Sequence, residues 1–500
     1  MLGCGEHMNS SHSTPVTVLS EDDIATCVRV LKAIEADRSH LTRLTQEQRR
    51  ELLTLAGLVS KPERHDLVRM AKAFRRAERA AEKEHDRKVI EQTGLRTQRR
   101  APVYSPLWLE PPPPGRPADR PELRQERSCY VCKQPFTQPH RYYDSMCTQC
   151  GEFNYAKREL TADLSGHYAL VTGARVKIGY QASLKLLRAG AHVVVTTRFP
   201  VDAADRYARE PDFASFQERL RIHGLDLRHT PSVEIFTRFL LERLPRLDYI
   251  LNNACQTVRR PIGFYQHLQD REAQSLTALP CVQRNTLCDY AQLRQTLATS
   301  HPHGLALAHK RYLDEDFQAG ESPFPVNRYD EDGQQVDLRY VNSWRLRLHE
   351  VETPELLEVH LVNAIAPYIL NARLKPLMVR TPGAHKHIVN VSAMEGQFYR
   401  TTKTDRHPHT NMAKAALNMM TRTSAPDYIK DGIHMNAVDT GWVTDEDPAV
   451  HAARKTELGF APPLDIIDGA ARIVDPVFVG RLTGTPVWGQ FLKDYKPTPW

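Results

Sequence analysis

His167-Tyr-Ala-Leu-Val-Thr172-Gly173-Ala-Arg175-Val-Lys177-Ile178-Gly179-Tyr reads as an apolar strand that breaks on a glycine turn and continues, through Ala182-Ser-Leu-Lys-Leu-Leu, as a helix. Few folds accept that order. A strand turning on glycine straight into a helix points the first amides of the helix past the strand end, an arrangement that suits a phosphate group. Ala191-His-Val-Val-Val-Thr-Thr-Arg198 supplies the next strand at crossover distance. From about Leu164 to the C-terminus strands and helices alternate, which predicts an α/β fold with a doubly wound parallel sheet covered on both faces.

The chain has 500 residues, 41% of them hydrophobic, enough for a large core and two or three domains. No apolar run approaches the roughly 18 to 20 residues of a spanning helix, and Met1-Leu-Gly-Cys-Gly-Glu-His does not read as a secretory signal. A cytoplasmic protein without a membrane partner is expected. The net charge of +7 comes largely from Lys61 to Arg100, with 13 basic and 7 acidic side chains. That basic helix is a candidate surface for a protein or nucleic-acid partner.

Residues 1–97 read as a helical, basic region whose start, up to Ser13, is expected to be disordered. Ser20 and Thr45 look like helix caps, and a long helix from Pro62 to about Gln92 carries Leu67, Met70, Phe74 and Ala81 on one side. Residues 98–126, with Pro102, Pro106, Pro111-Pro-Pro-Pro-Gly, Pro117 and Pro121, form a semi-rigid linker. Residues 127–160 hold the pairs Cys129-Tyr-Val-Cys132 and Cys147-Thr-Gln-Cys150, separated by fourteen residues. Two such pairs present four thiolates to one tetrahedral cation, so Cys129, Cys132, Cys147 and Cys150 are expected to hold structural zinc, with His140 outside the shell. A closed four-sulfur site has no place for substrate. The module is read as an interdomain clip or, through Lys133, Arg141, Lys157 and Arg158 with nearby aromatics, as a nucleic-acid surface.

From about Leu164 onward, some two thirds of the chain, the sequence resembles the short-chain dehydrogenase/reductase family, whose first turn reads TGxxxGxG. Gly224-Leu-Asp226-Leu227 matches its third-strand motif, Leu251-Asn252-Asn253-Ala254 its NNAG motif with Cys255 for Gly, and Asn436-Ala-Val-Asp-Thr-Gly441 its sixth-strand NxxxPG motif. The resemblance implies a Rossmann-type domain over 161–500. It also implies a nicotinamide coenzyme held by Thr172, Gly173, Arg175, Lys177, Ile178, Gly179, Arg198, Asp226, Leu227, Asn253, Ala254, Lys414 and Gly441. Thr196, Thr197 and Arg198 stand where an acidic side chain would take the ribose hydroxyls of NAD, so charge favours NADP(H). Lys177 replaces the family's middle glycine, and the turn must tolerate its Cβ.

The catalytic half departs from the pattern. Asn363 matches the Asn of the family tetrad, and Thr410-Asn-Met-Ala-Lys414 matches YxxxK with Lys414 kept and Tyr replaced by Thr410. The catalytic Ser falls on Ala393, beside Ser392. A threonine hydroxyl is a far weaker acid than a phenol near pKa 10. Substitutes lie in the following loop: Tyr399, His407 and His409. Between Ala254 and Asn363 the chain is roughly 80 residues longer than the family pattern needs, mostly over 259–340, with Phe264, Tyr265, Tyr290, Tyr312, Phe317, Phe324 and Trp344. This insertion is read as a lid over a large or polar small-molecule substrate, or as an oligomerisation arm. The leading expectation is an NADP(H)-dependent oxidoreductase with an altered proton-transfer group. The alternatives are a silent NADP(H) sensor or scaffold and a nucleic-acid-associated protein.

Overall fold

The computed structural model describes residues 19–99, 121–273, 276–300, 323–330, 333–383, 385–399 and 403–500. The expectations for the start up to Ser13, for the linker prolines Pro102 to Pro117, and for Tyr312 and Phe317 lie outside these residues. The chain divides into two compact units, Met1–Ala81 and Glu82–Trp500.

The first unit carries α1 (Glu21–Ala36), α2 (Gln46–Ser60) and the start of α3 (Arg64–Glu91). Both capped starts read from the sequence are capping boxes, Ser20 with Asp23 and Thr45 with Gln48, each satisfying backbone amides that a helix start leaves open. No residue of α1 or α2 is buried, and Leu67, Met70 and Phe74 are exposed. These helices stand on caps and local pairs rather than on a core.

In the second unit, α4 (Gly94–Arg99) lies against the cysteine module: the Gly94 and Leu95 amides donate to the Arg141 and Tyr142 carbonyls at 2.9 Å. Leu95 is fully buried. The division therefore falls inside α3, and residues 82–99 belong with the larger unit rather than with a helical region ending at 97. The module consists of the ribbon β1 (Arg127–Ser128) and β2 (Pro135–Phe136) followed by α5 (Thr148–Glu159). It shares one apolar cluster with the rest of the unit: Cys129, Tyr142, Tyr143 and Met146 pack with Val443, Leu464, Ile466 and Ile467.

The main sheet has the order β10-β9-β8-β7-β6-β3-β4-β5. Its strands are β3 (Tyr168–Thr172), β4 (His192–Thr197), β5 (Leu220–Gly224), β6 (Tyr249–Asn252), β7 (Lys386–Ser392), β8 (Ile433–Asp439), β9 (Phe491–Lys493) and β10 (Lys496–Thr498). β3 to β9 are parallel and β10 is antiparallel to β9. Alternate side chains feed two cores, because successive residues of a strand face opposite ways. Val171, Val389 and Val438 join the core under α6 (Lys177–Arg188) and the Ile466–Thr483 helix, whereas Leu170, Ile388 and Met435 join the core on the other face. The winding reverses between β3 and β6, and in such sheets ligands bind outside the carboxyl ends of the strands at that point.

Part of the insertion covers the β5 edge instead of forming a lid. The Cys288–Ser300 helix places Tyr290 in the first core and Leu293 and Leu297 in the second. A parallel edge strand with apolar faces needs such cover.

Candidate functional site

A cavity of about 1280 Å³ opens at the carboxyl ends of the strands. Its floor is the turn after β3. Gly173 takes φ 66°, and a Cβ there would sit 2.8 Å from the Ala254 Cα, so only glycine lets the β3 turn and the β6 end approach. A Cβ on Gly179 would meet the Asn253 Nδ2 at 2.2 Å. Asn253 Nδ2 donates to the Thr172 and Gly173 carbonyls at 3.0 and 3.2 Å, and the Ala254 amide donates to Thr172 Oγ1 at 3.0 Å. Lys177 holds φ 56°, the left-handed conformation glycine adopts more easily, and opens α6 toward the cavity.

Charge around the turn is largely paired. Arg175 Nη1 lies 2.7 Å from Asp202 Oδ2, at the start of α7 (Pro200–Ala208). Burial works against the Asp202 carboxylate, but Arg175 and Arg206 outweigh it and hold its pKa below the usual range. Asp226 is bound by Arg228 at 2.6 Å. Arg198, at the end of β4, instead donates to the Tyr265 hydroxyl at 2.6 Å, with its guanidinium 4.6 Å from that ring's centroid. Burial would raise the Tyr265 pKa, yet Arg198, then Arg260 and Arg175, pull it down, which marks strong positive potential at this strand end.

Gly173, Arg175, Lys177, Ile178, Gly179, Arg198, Asp226, Leu227, Asn253, Ala254, Thr410, Lys414 and Gly441 all border this one cavity. Thr172 stands behind it, bracing Ala254. Asn363 sits in a π-helical turn, Leu361–Ile365, and spends both amide atoms on Gln256: its Oδ1 accepts from the Gln256 amide at 2.7 Å and its Nδ2 donates to the carbonyl at 3.1 Å. It positions the β6 loop rather than facing the cavity.

Lys414 Nζ donates to the Val391 carbonyl at 2.7 Å. The buried hydroxyls of Thr410 and Ser392, both on the cavity wall, have no hydrogen-bond partner. Tyr399 does not border the cavity; it is 51% exposed and accepts from Gln397. His409 is turned inward, its Nε2 3.5 Å from Glu355. His407 does border the cavity: it is the left-handed residue, φ 43°, ahead of the Pro408–Tyr428 helix, and its ring stacks on Trp344 at 3.9 Å and 4°. Its Nδ1 is buried without a partner.

Sequence reasoning missed Tyr130, Lys133, Asp439 and Lys493 on the same wall. Lys493 Nζ lies 3.4 Å from Asp439, whose pKa burial raises against that lysine. Tyr130 and Lys133 stand in or beside the first cysteine pair and Asp439 inside the sixth-strand motif, but neither motif points to this cavity. Only the sheet register, pairing Ser392 with Asp439 and Asp439 with Lys493, brings two of them to the site.

In the module, the four sulfurs lie within 4.8 Å of one another, with Cys132 and Cys147 Sγ 3.9 Å apart. A tetrahedral site with Zn–S bonds of about 2.3 Å has sulfurs about 3.8 Å apart, so the cluster fits. The Cys147 amide donates to Cys129 Sγ at 3.4 Å. His140 is committed elsewhere: it accepts from the Tyr142 amide at 3.2 Å and faces Glu152 at 3.2 Å.

Residues 167–279 match the family model described as short chain dehydrogenase, and residues 340–458 match the one described as Enoyl-(Acyl carrier protein) reductase. The unmatched stretch between them falls in the insertion. An uncharacterised protein of Acanthamoeba polyphaga mimivirus is 31% identical over 381 residues, covering 73% of this chain and 74% of that one. Retinol dehydrogenase 11 of Mus musculus is 31% identical over 109 residues, which is 21% of this chain and 34% of the enzyme. The (+)-neomenthol dehydrogenase of Capsicum annuum is 32% identical over 93 residues, 18% of this chain and 29% of the enzyme. Among solved structures, the RhlG/NADP complex of Pseudomonas aeruginosa aligns with a TM-score of 0.42 at 17% identity, over 66% of this chain and 95% of that one. Among the described residues no helix is long and apolar enough to cross a membrane. With the glycine turn, the ordered strand-end motifs and both family matches in one sheet, the chain belongs to the short-chain dehydrogenase/reductase family of oxidoreductases.

Proposed function

We propose that the protein is an NADP(H)-dependent oxidoreductase whose proton-transfer group has moved off the family's Tyr position, and that Cys129, Cys132, Cys147 and Cys150 hold a structural zinc ion. The carrying observation is the turn itself: Gly173 and Gly179 pressed against Ala254 and Asn253 leave the start of α6 bordering the cavity. Preference for the phosphorylated coenzyme rests on Arg198. Asp202 and Asp226 already pair with Arg175 and Arg228, whereas among the described residues no carboxylate forms an ion pair with Arg198.

When bound, NADPH supplies a hydride; a substrate C=O, C=N or activated C=C takes that hydride and one proton, so the coenzyme is oxidised and the substrate reduced by two electrons. Lys414, fixed on the Val391 carbonyl, stands one helical turn from Thr410 on the cavity wall. Thr410 and Ser392 offer unpartnered hydroxyls to the substrate. Of the three loop substitutes for Tyr, His407 is the proton donor, because it alone among them borders the cavity.

The test is coenzyme binding to the purified protein by nicotinamide fluorescence, followed by absorbance with a panel of carbonyls, imines and enones. NADPH is expected to bind more tightly than NADH. R198A should weaken NADPH about 10- to 100-fold, the worth of a charge-assisted hydrogen bond, and leave NADH nearly unchanged. Failure to bind either coenzyme overturns the reading. Tight NADPH binding without oxidation by any of the panel favours the silent sensor, to which the loss of Tyr and Ser also points.

A further inference from the structure

We propose that the Cys129–Lys133 knuckle is a working wall of the coenzyme cavity, so that metal binding at the four thiolates and coenzyme binding are thermodynamically coupled, with Tyr130 as the positioning residue between them. The inference rests on the coenzyme reading given above and extends it to a module that family resemblance does not cover.

Tyr130 and Lys133 border the same cavity as Gly173 and Lys177. Tyr130 stands between two cysteines of the cluster, so a bound metal would fix its backbone from both sides, and its own amide donates to the Ser145 carbonyl at 2.8 Å. Its hydroxyl accepts from the Trp442 amide at 3.0 Å. Trp442 belongs to the segment after β8, residues 440–448, which borders the cavity along most of its length. The approach is close: a Cβ on Gly441, at φ 77°, would lie 3.1 Å from the Tyr130 hydroxyl.

The start of α6 also packs toward the module. Ile178, in the first turn of α6, packs against the cluster of Cys129, Tyr142, Tyr143 and Met146, and Val443 from the β8 segment belongs to that cluster. The module is held in place by buried polar bonds to the Ile466–Thr483 helix and its cap. Tyr143 donates to Asp468 at 2.5 Å, Arg158 lies 2.6 Å from Asp465, and Arg472 donates to Asn154 at 2.7 Å. The first turn of α6 and the segment after β8 therefore share one apolar cluster with the knuckle's Cys129. A metal site that organises its own ligands shifts whatever is packed on them, and coupling between two ligands is reciprocal.

The experiment uses the full chain as purified with zinc. NADPH affinity is measured for wild type, Y130F and chelator-treated protein, and zinc release to a colorimetric chelator is followed with and without saturating NADPH. Y130F is expected to raise the NADPH Kd roughly tenfold, within the usual span of site-to-site coupling, while zinc content and Tm stay at wild-type values. NADPH should slow zinc release from wild type and not from Y130F, a readout that a purely structural role of the ring would not move. If chelation unfolds the protein, Y130F with its metal retained carries the test. An unchanged Kd in Y130F, or zinc release indifferent to NADPH, overturns the coupling while leaving the coenzyme reading intact. Wild type that binds neither coenzyme overturns both.

Discussion

His407 and His409 are two residues apart, and the sequence offers both equally; the backbone separates them. His407 precedes the Pro408–Tyr428 helix in a left-handed conformation and stacks on Trp344, while His409, inside the first turn, is carried to Glu355. Burial lowers the His407 pKa from its usual 6.5; Glu395 opposes this, and His409 and Lys403 add to it. As donor in a reduction His407 works when protonated, so kcat should fall as pH rises through an inflection below 6.5. H407Q is expected to remove that inflection and lower kcat about 100-fold or more, the ordinary worth of a general acid, with NADPH affinity unchanged. A pH profile of kcat for both proteins checks it. Spacing alone was enough for Lys414 and Thr410, because four residues on a helix share a face. It was not enough for the histidines, whose directions depend on one left-handed residue and on a Trp that lies more than sixty positions upstream in the chain. Lys177 makes the same point: its φ of 56° keeps the conformation of the family's glycine without its residue type.

The insertion shows what a whole element adds. Its aromatic, charged composition was legible, but its placement was not, since covering an edge and lining a cavity call for the same residues. The structure divides the work: the Cys288–Ser300 helix closes the β5 edge, while Phe264, Tyr265 and Trp344 border the cavity. One side chain ties the insertion to the sheet. Glu272 accepts the Val201 and Asp202 amides, both at 3.0 Å, at the start of α7, the helix whose Asp202 pairs with Arg175. Burial raises the Glu272 pKa to about 7, against the pull of those two amides. A folded-state pKa above the unfolded value means the fold binds the proton more tightly, so this contribution to stability is full below the unfolded carboxyl pKa and is lost as pH rises through about 7. Wild type should therefore lose Tm between about pH 4.5 and 7 and level off above that, and E272Q, which stays neutral, should lose less over the same range. Scanning calorimetry of the two proteins decides it.

At the scale of the whole molecule the sheet separates chemistry from packing: the carboxyl ends of its strands meet the cavity, and their amino ends are sealed. The doubly wound parallel sheet could be read from the alternating pattern and the turn motifs, because each strand announces itself locally. The sealing could not, nor could the docking of the cysteine module, because both depend on partners far apart in the chain, such as Tyr143 and Asp468. At the amino ends His387 of β7 pairs in register with His434 of β8 and with Tyr249 of β6. It is fully buried, and neither ring nitrogen has a partner. Burial drives its pKa well below 6.5, and His434, His385 and Arg481 push it the same way. A depressed folded-state pKa gives stability that is present above the unfolded value and lost as pH falls through the folded one. Because β7 lies between the two cores, protonating His387 opposes the packing of both faces at once, and acid unfolding should be a single cooperative transition. H387L should flatten the fall of Tm below about pH 6.5, the ordinary His value, while NADPH binding to the folded protein keeps its wild-type pH dependence. An acid transition unchanged in H387L would place the sensitivity elsewhere in the sheet.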